Sequence, residues 1–324
     1  MSKEKSLGKG GMVVCAIVML TMCAVSFLLR PDRRISGELG ICLPSPNLWD
    51  INPISSWIIN TVLLGGCAAA GFFLNRSYNF IRSTHPVLTS LFLVLSASNP
   101  WITGYLSSST LLCTVNLICI SVMFRCFRSS NATQEMFLIG TFISVGSMFQ
   151  YAFLPMTVAY VLSAIVMKVF RIKEFLALLM GLVAPYWVAV GLGLIPIDRF
   201  SMPQITNLFQ DYAHASHLIV LLISVGLAIF LGLVLGLNNS IRLYAGNSQV
   251  NAMNLTITFV GVVCSICVIV DFSNMMAYIA TLYFTVAVQV ANLCALWNVK
   301  RDHIVVAIPS LIYIGFFIAM IFRA

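Results

Sequence analysis

Long apolar runs alternate with short polar ones along almost the whole chain. A helix rises 1.5 Å per residue, so about twenty apolar residues span the hydrocarbon of a bilayer. Runs of roughly that length fall near residues 12–29, 57–74, 105–124, 136–153, 175–195, 216–237, 252–270, 275–297 and 304–322. Two shorter runs, 86–98 ending at Asn99-Pro100 and 156–170 following Pro155, read as segments that re-enter or lie tilted inside protein. The pattern predicts an all-α polytopic transmembrane helical bundle of about eleven helices (about nine to twelve), forming one integral membrane domain over residues 1–324. The first run has basic residues before it but is long for a signal peptide and lacks a small-residue cleavage site. It reads as an uncleaved first helix.

Composition agrees. Hydrophobic residues make up 60% of the 324 positions, charged residues 9%, and mean hydropathy is +0.98. A soluble domain is about 25% charged because it must wet its surface. Ten acids and eighteen bases are too few to do that here, so lipid is the expected solvent. The net charge of +8 is spread in twos and threes between apolar runs, which excludes a nucleic-acid face. With the N-terminus inside, Lys3, Lys5, Lys9, Arg76, Arg82, Arg125, Arg128, Lys168, Arg171, Lys173, Arg242, Lys300 and Arg301 lie on the cytoplasmic side. Arg30, Arg33, Arg34, Arg199 and Arg323 lie outside. The positive-inside rule then predicts N-in, C-out in the inner (cytoplasmic) membrane. Trp49, Trp57 and Trp101 near one interface and Trp297 near the other fit aromatic belts.

Two external loops are long, 30–56 and 196–216. The first carries Asp32, Glu38 and Asp50. The second carries Asp198, Arg199, Asp211, His214 and His217, with Ile205, Leu208, Phe209 and Tyr212 at the spacing of an interfacial amphipathic helix. Asp211, His214 and His217 share one face, as metal ligands or as surface residues. Nine of the ten cysteines lie in or beside apolar runs, where a thiol packs as a small hydrophobe. Cys264 and Cys267 have CxxC spacing but sit mid-run.

Polar residues inside apolar runs need partners. Thr141, Ser144, Ser147 and Gln150 fall three apart, as do Gln289 and Asn292. They read either as interhelical hydrogen bonds or as the lining of a polar cavity. Asp271 follows the run CSICVIV and precedes Phe272-Ser273-Asn274, so it reads either as a functional acid or as a helix cap. No GxxxxGK[ST], GxSxG or HExxH motif occurs.

The stretch Phe137-Leu-Ile-Gly140-Thr-Phe-Ile-Ser-Val-Gly146, then Tyr151-Ala-Phe-Leu-Pro155, resembles the short hairpin of the C-type (GT-C) membrane glycosyltransferases. Arg171-Ile-Lys-Glu174 followed by Gly181-Leu-Val-Ala-Pro185-Tyr186 resembles a family of multipass inner-membrane proteins from Bacteroidetes-type bacteria. Together the similarity covers roughly residues 75–195. It implies a glycosyltransferase-like protein using a polyprenyl-phosphate-linked sugar in envelope glycan assembly. An acid of the first external loop (Asp32, Glu38 or Asp50) would then serve as base or as ligand of a divalent metal ion, and Arg33, Arg34 or Arg199 would pair with the lipid phosphate. The loop lacks the paired Asp-Glu often seen in that superfamily, and there is no soluble acceptor-binding domain. A non-enzymatic membrane subunit binding envelope protein partners, and a transporter or flippase, remain alternatives; the latter predicts a repeat between the two halves, and none is visible.

Overall fold

Helix starts are set by side chains that reach the first free backbone N–H groups. Asn52 accepts from Ile54 N at 3.0 Å, Asn99 from Trp101 N at 3.1 Å, Ser107 from Thr110 N at 3.3 Å and Asn247 from Gln249 N at 2.9 Å. Between such starts the apolar runs coil without interruption. The computed structural model describes residues 9–29, 40–81, 86–196, 198, 200, 219–244, 247–296 and 302–323. The described residues form α1 (Lys9–Leu29), α2 (Pro53–Tyr78), α3 (Val87–Ala97), α4 (Pro100–Thr103), α5 (Ser108–Arg125), α6 (Thr133–Phe149), α7 (Met156–Val166) and α8 (Ile172–Gly191). After these come α9 (Ile219–Tyr244), α10 (Ser248–Val270), α11 (Met275–Leu296) and α12 (Asp302–Arg323), and no strand occurs among the described residues.

Eight helices of the described residues are long and apolar enough to cross a membrane: α1, α2, α5 and α8 to α12. The chain is a multipass membrane protein. The two short runs expected from the sequence are short helices, α3 and α7. All eleven residues of α3 are buried, because it lies among α1, α2, α11 and α12. At the centre runs α11, which packs on α3, α5, α9 and α10 and is buried along most of its length. The outer helices instead turn Leu, Ile, Val and Phe outward, among them Leu28, Val62, Leu237 and Leu311, as a surface solvated by hydrocarbon does.

The helix ends sort by charge. Arg128 reaches Ser248 at the start of α10, Arg171 donates to the Ser130 carbonyl and Lys173 to Asn131, just before α6. The starts of α6, α8 and α10 therefore share one basic end. The finishes of α6 and α10 lie at the other, about 25–35 Å away at 1.5 Å per residue. Trp101 is buried, so it faces protein rather than an interfacial belt; its place at the start of α4 turns the indole inward.

The pair α6–α8 is joined by two glycines. A Cβ on Gly181 would run into the Phe137 carbonyl, and one on Gly140 into the Leu178 carbonyl. Close backbone approach through small residues is how helices associate where no hydrophobic force separates protein from solvent. Gly66 faces open space. Gly181→Val is expected to lose about 1–3 kcal/mol through overpacking, read as a lower unfolding temperature in detergent, while Gly66→Ala holds or gains stability. Equal temperatures for Gly181→Val and the native chain would contradict the contact.

Candidate functional site

Where α6 ends, Gln150 leaves the helical conformation and Tyr151–Phe153 form a single 3-10 turn before α7. Where α10 ends, Asp271 does the same, and Phe272–Asn274 turn the chain into α11. These two corners meet. Asp271 Oδ1 accepts from the Tyr151 hydroxyl at 2.8 Å, from Asn274 Nδ2 at 2.9 Å and from the Ser273 hydroxyl at 3.3 Å. Its Oδ2 accepts from the Tyr278 hydroxyl at 3.1 Å. Asn274 Nδ2 also approaches the Tyr151 hydroxyl closely and the Ser273 hydroxyl at 3.0 Å. Gln150 Nε2 donates to Asn274 Oδ1 at 3.0 Å. Asp271 is only 5% exposed. Its side chain makes no cap on the following turn; it is instead the acceptor on which four donors from two corners and α11 converge.

The loop between α1 and α2 reaches the same corner. Ile41 N donates to the Ser147 carbonyl at 3.4 Å, and the Cys42 and Leu43 amides donate to Met148 O at 3.3 and 2.9 Å. The Trp49 indole packs edge-on against Phe149, one residue before Gln150, with centroids 5.5 Å apart. Asp50 follows it and is exposed. Asp32, Glu38, Arg33, Arg34 and Arg199 lie outside the described residues, as do Asp211, His214, His217 and the stretch Ile205 to Tyr212 expected to be an amphipathic helix.

The other polar residues singled out from the sequence are buried but do not gather in one place. Ser144 donates to the Leu182 carbonyl at 2.7 Å, and Ser147 shares a 2.6 Å hydrogen bond with the Tyr186 hydroxyl, so both tie α6 to α8. Gln289 and Asn292 lie towards the opposite end of the bundle. Gln289 Nε2 donates to Thr258 at 3.1 Å, Asn239 Nδ2 donates to Gln289 Oε1 at 2.9 Å, and Asn292 Nδ2 donates to Asn254 Oδ1 at 2.9 Å. Asn254 in turn donates to Ser240 at 3.1 Å. A Cβ on Gly236 would touch Thr258 at 3.0 Å, so α9, α10 and α11 are in close contact there. This ladder of neutral amides works as interhelical glue.

Sequence reasoning missed Tyr151, Tyr278 and Asn274 at the acid corner, and Asn239, Asn254 and Thr258 in the ladder. The tyrosines read as ordinary apolar core, and Asn239 sits in Asn238-Asn239-Ser240, which resembles a loop. No disulfide forms among the described residues; Cys264 lies 3.9 Å from the Met156 sulfur, and Cys67 contacts the Thr114 hydroxyl at 3.3 Å. No group of three or more His, Cys, Asp or Glu side chains among the described residues is arranged to hold a metal. Comparison with family models, with curated proteins and with solved structures finds no match.

Asn254→Ala strands the buried Asn292 amide and removes two interhelical bonds. It is expected to cost about 1–2 kcal/mol of stability in the membrane. A double-mutant cycle with Asn292→Ala should show coupling between the two sites; strict additivity would contradict the ladder.

Proposed function

We propose that the protein crosses the inner membrane about eleven times, N-in and C-out, and acts at the outer face as a glycosyltransferase-like enzyme taking sugar from a polyprenyl-phosphate lipid. In this reading α3 and α4 together make one crossing, and α6 and α7 each make another. The basic end of the bundle, with Arg125, Arg128, Lys168, Arg171 and Lys173, is cytoplasmic by the positive-inside rule. The corner holding Asp271 then faces out.

The observation that carries the reading is the docking of the first loop, through residues 41–43 and Trp49, on the end of α6 beside the Asp271 corner. That loop holds the acids Asp32, Glu38 and Asp50. A carboxylate there takes the proton from the acceptor hydroxyl as its oxygen attacks the sugar, and the polyprenyl phosphate departs with the bonding electrons. Arg33, Arg34 and Arg199 pair with the phosphate of the lipid, where guanidinium forks give two parallel hydrogen bonds. If a divalent metal ion takes part, the loop acids are its hard oxygen ligands.

A second reading, a membrane subunit of an envelope assembly, draws support from α8. It packs chiefly on α6 and turns Ile172, Leu176, Met180 and Trp187 outward. A purified complex of fixed stoichiometry whose formation α8 substitutions abolish would favour it.

The enzyme reading is tested by replacing Asp32, Glu38 and Asp50 singly with Ala in cells that make the protein. At least one replacement should abolish an envelope glycan while the amount of membrane-inserted protein stays constant. An intact glycan profile in all three variants would reject it.

A further inference from the structure

The Asp271 corner contains more oxygen lone pairs than its own donors fill. Among the described residues, Asp271 Oδ1 accepts from Tyr151, Asn274 and Ser273, whereas Oδ2 accepts from Tyr278 alone. A carboxylate oxygen has two lone-pair directions, so one on Oδ2 is left over. Gln150 is fully buried, and while its Nε2 is bound to Asn274 the amide oxygen, Oε1, has no partner among the described residues. Buried amide oxygens are almost always paired. This one belongs to an amide already bonded into the corner.

Charge points the same way. Every donor to Asp271 among the described residues is neutral: three hydroxyls and one amide. They solvate the carboxylate but do not cancel its charge, and an unpaired charge away from water is costly. Among the described residues the titratable groups facing it are Tyr151 from the turn after α6, Tyr278 from α11 and Cys267 from the last turn of α10, and none of these three supplies a positive charge.

We propose that this corner is a binding site for one dehydrated alkali-metal cation. Asp271 provides the charge, and Gln150 Oε1 with the hydroxyl oxygens of Tyr151 and Ser273 completes an oxygen shell. Oxygen ligands without nitrogen or sulfur select hard cations, and calcium sites draw on several carboxylates where this corner has one. A single carboxylate matches a single positive charge. Asp50, exposed beside Trp49 at the same end of the bundle, adds negative potential at the approach. The site is independent of the glycosyl-transfer reading and stands even if all three loop-acid variants keep their glycan.

The test is the unfolding temperature of the purified full-length protein in detergent, titrated with NaCl, KCl or choline chloride at constant ionic strength. Sodium or potassium should raise it by several degrees, saturably, while choline does not, and the more effective ion identifies the cation. Asp271→Asn should abolish the response, and Gln150→Leu should move its midpoint to about tenfold higher salt, a loss of one cation ligand worth a factor of ten. Identical temperatures in all three salts would overturn the proposal, as would an undiminished response in Gln150→Leu. Should Asp271→Asn fail to fold, saturable binding of radioactive sodium or rubidium to the native protein decides: its absence overturns the site, and its presence with weakening in Gln150→Leu supports it.

Discussion

Hydrocarbon offers no hydrogen-bond partner, and that constraint organises this protein. Backbone groups are satisfied within helices, and side-chain polar groups that enter the bundle must find one another. The apolar runs obey the first requirement by coiling. The second is met by three linked sets: Ser144 and Ser147 of α6 bonded to α8, the amide ladder across α9, α10 and α11, and the donors around Asp271. Each set sits between helices, where it is shielded from lipid.

These sets differ in what they demand. The ladder is neutral and lies between closely packed helices, so it contributes specificity and modest stability. The Asp271 corner carries a formal charge and surplus acceptors at a point where two helices break. The docking of residues 41–43 and Trp49 on the end of α6 puts the exposed Asp50 at the end of the bundle that holds the buried Asp271.

The fold was largely legible in the sequence because its signal is one-dimensional. A run such as 252–270 becomes Ser248–Val270, and the short runs at 86–98 and 156–170 become Val87–Ala97 and Met156–Val166. Boundaries moved by a few residues where a polar cap such as Asn52 or Asn247 extended the helix beyond its apolar stretch. The site was only partly legible. Asp271 and Gln150 stood out as polar residues at the ends of apolar runs, yet nothing in their spacing joins positions 150 and 271. Tyr151 and Tyr278 carry most of their surface as hydrocarbon, so periodicity files them with the core, and their hydroxyls acquire meaning only when two distant corners meet. Gly140 and Gly181 were visible as punctuation; that their backbones touch is a tertiary fact.

Tryptophan quenching in vesicles reads whether lipid solvates the outer helices while the interior is protein. Trp187 on α8 is 77% exposed, and Trp101 is buried. In variants keeping one of these as the sole tryptophan, bromine-labelled acyl chains should quench Trp187 strongly and Trp101 weakly, with aqueous iodide quenching neither. Quenching of Trp187 by iodide and not by brominated lipid would place that surface in water and contradict the account.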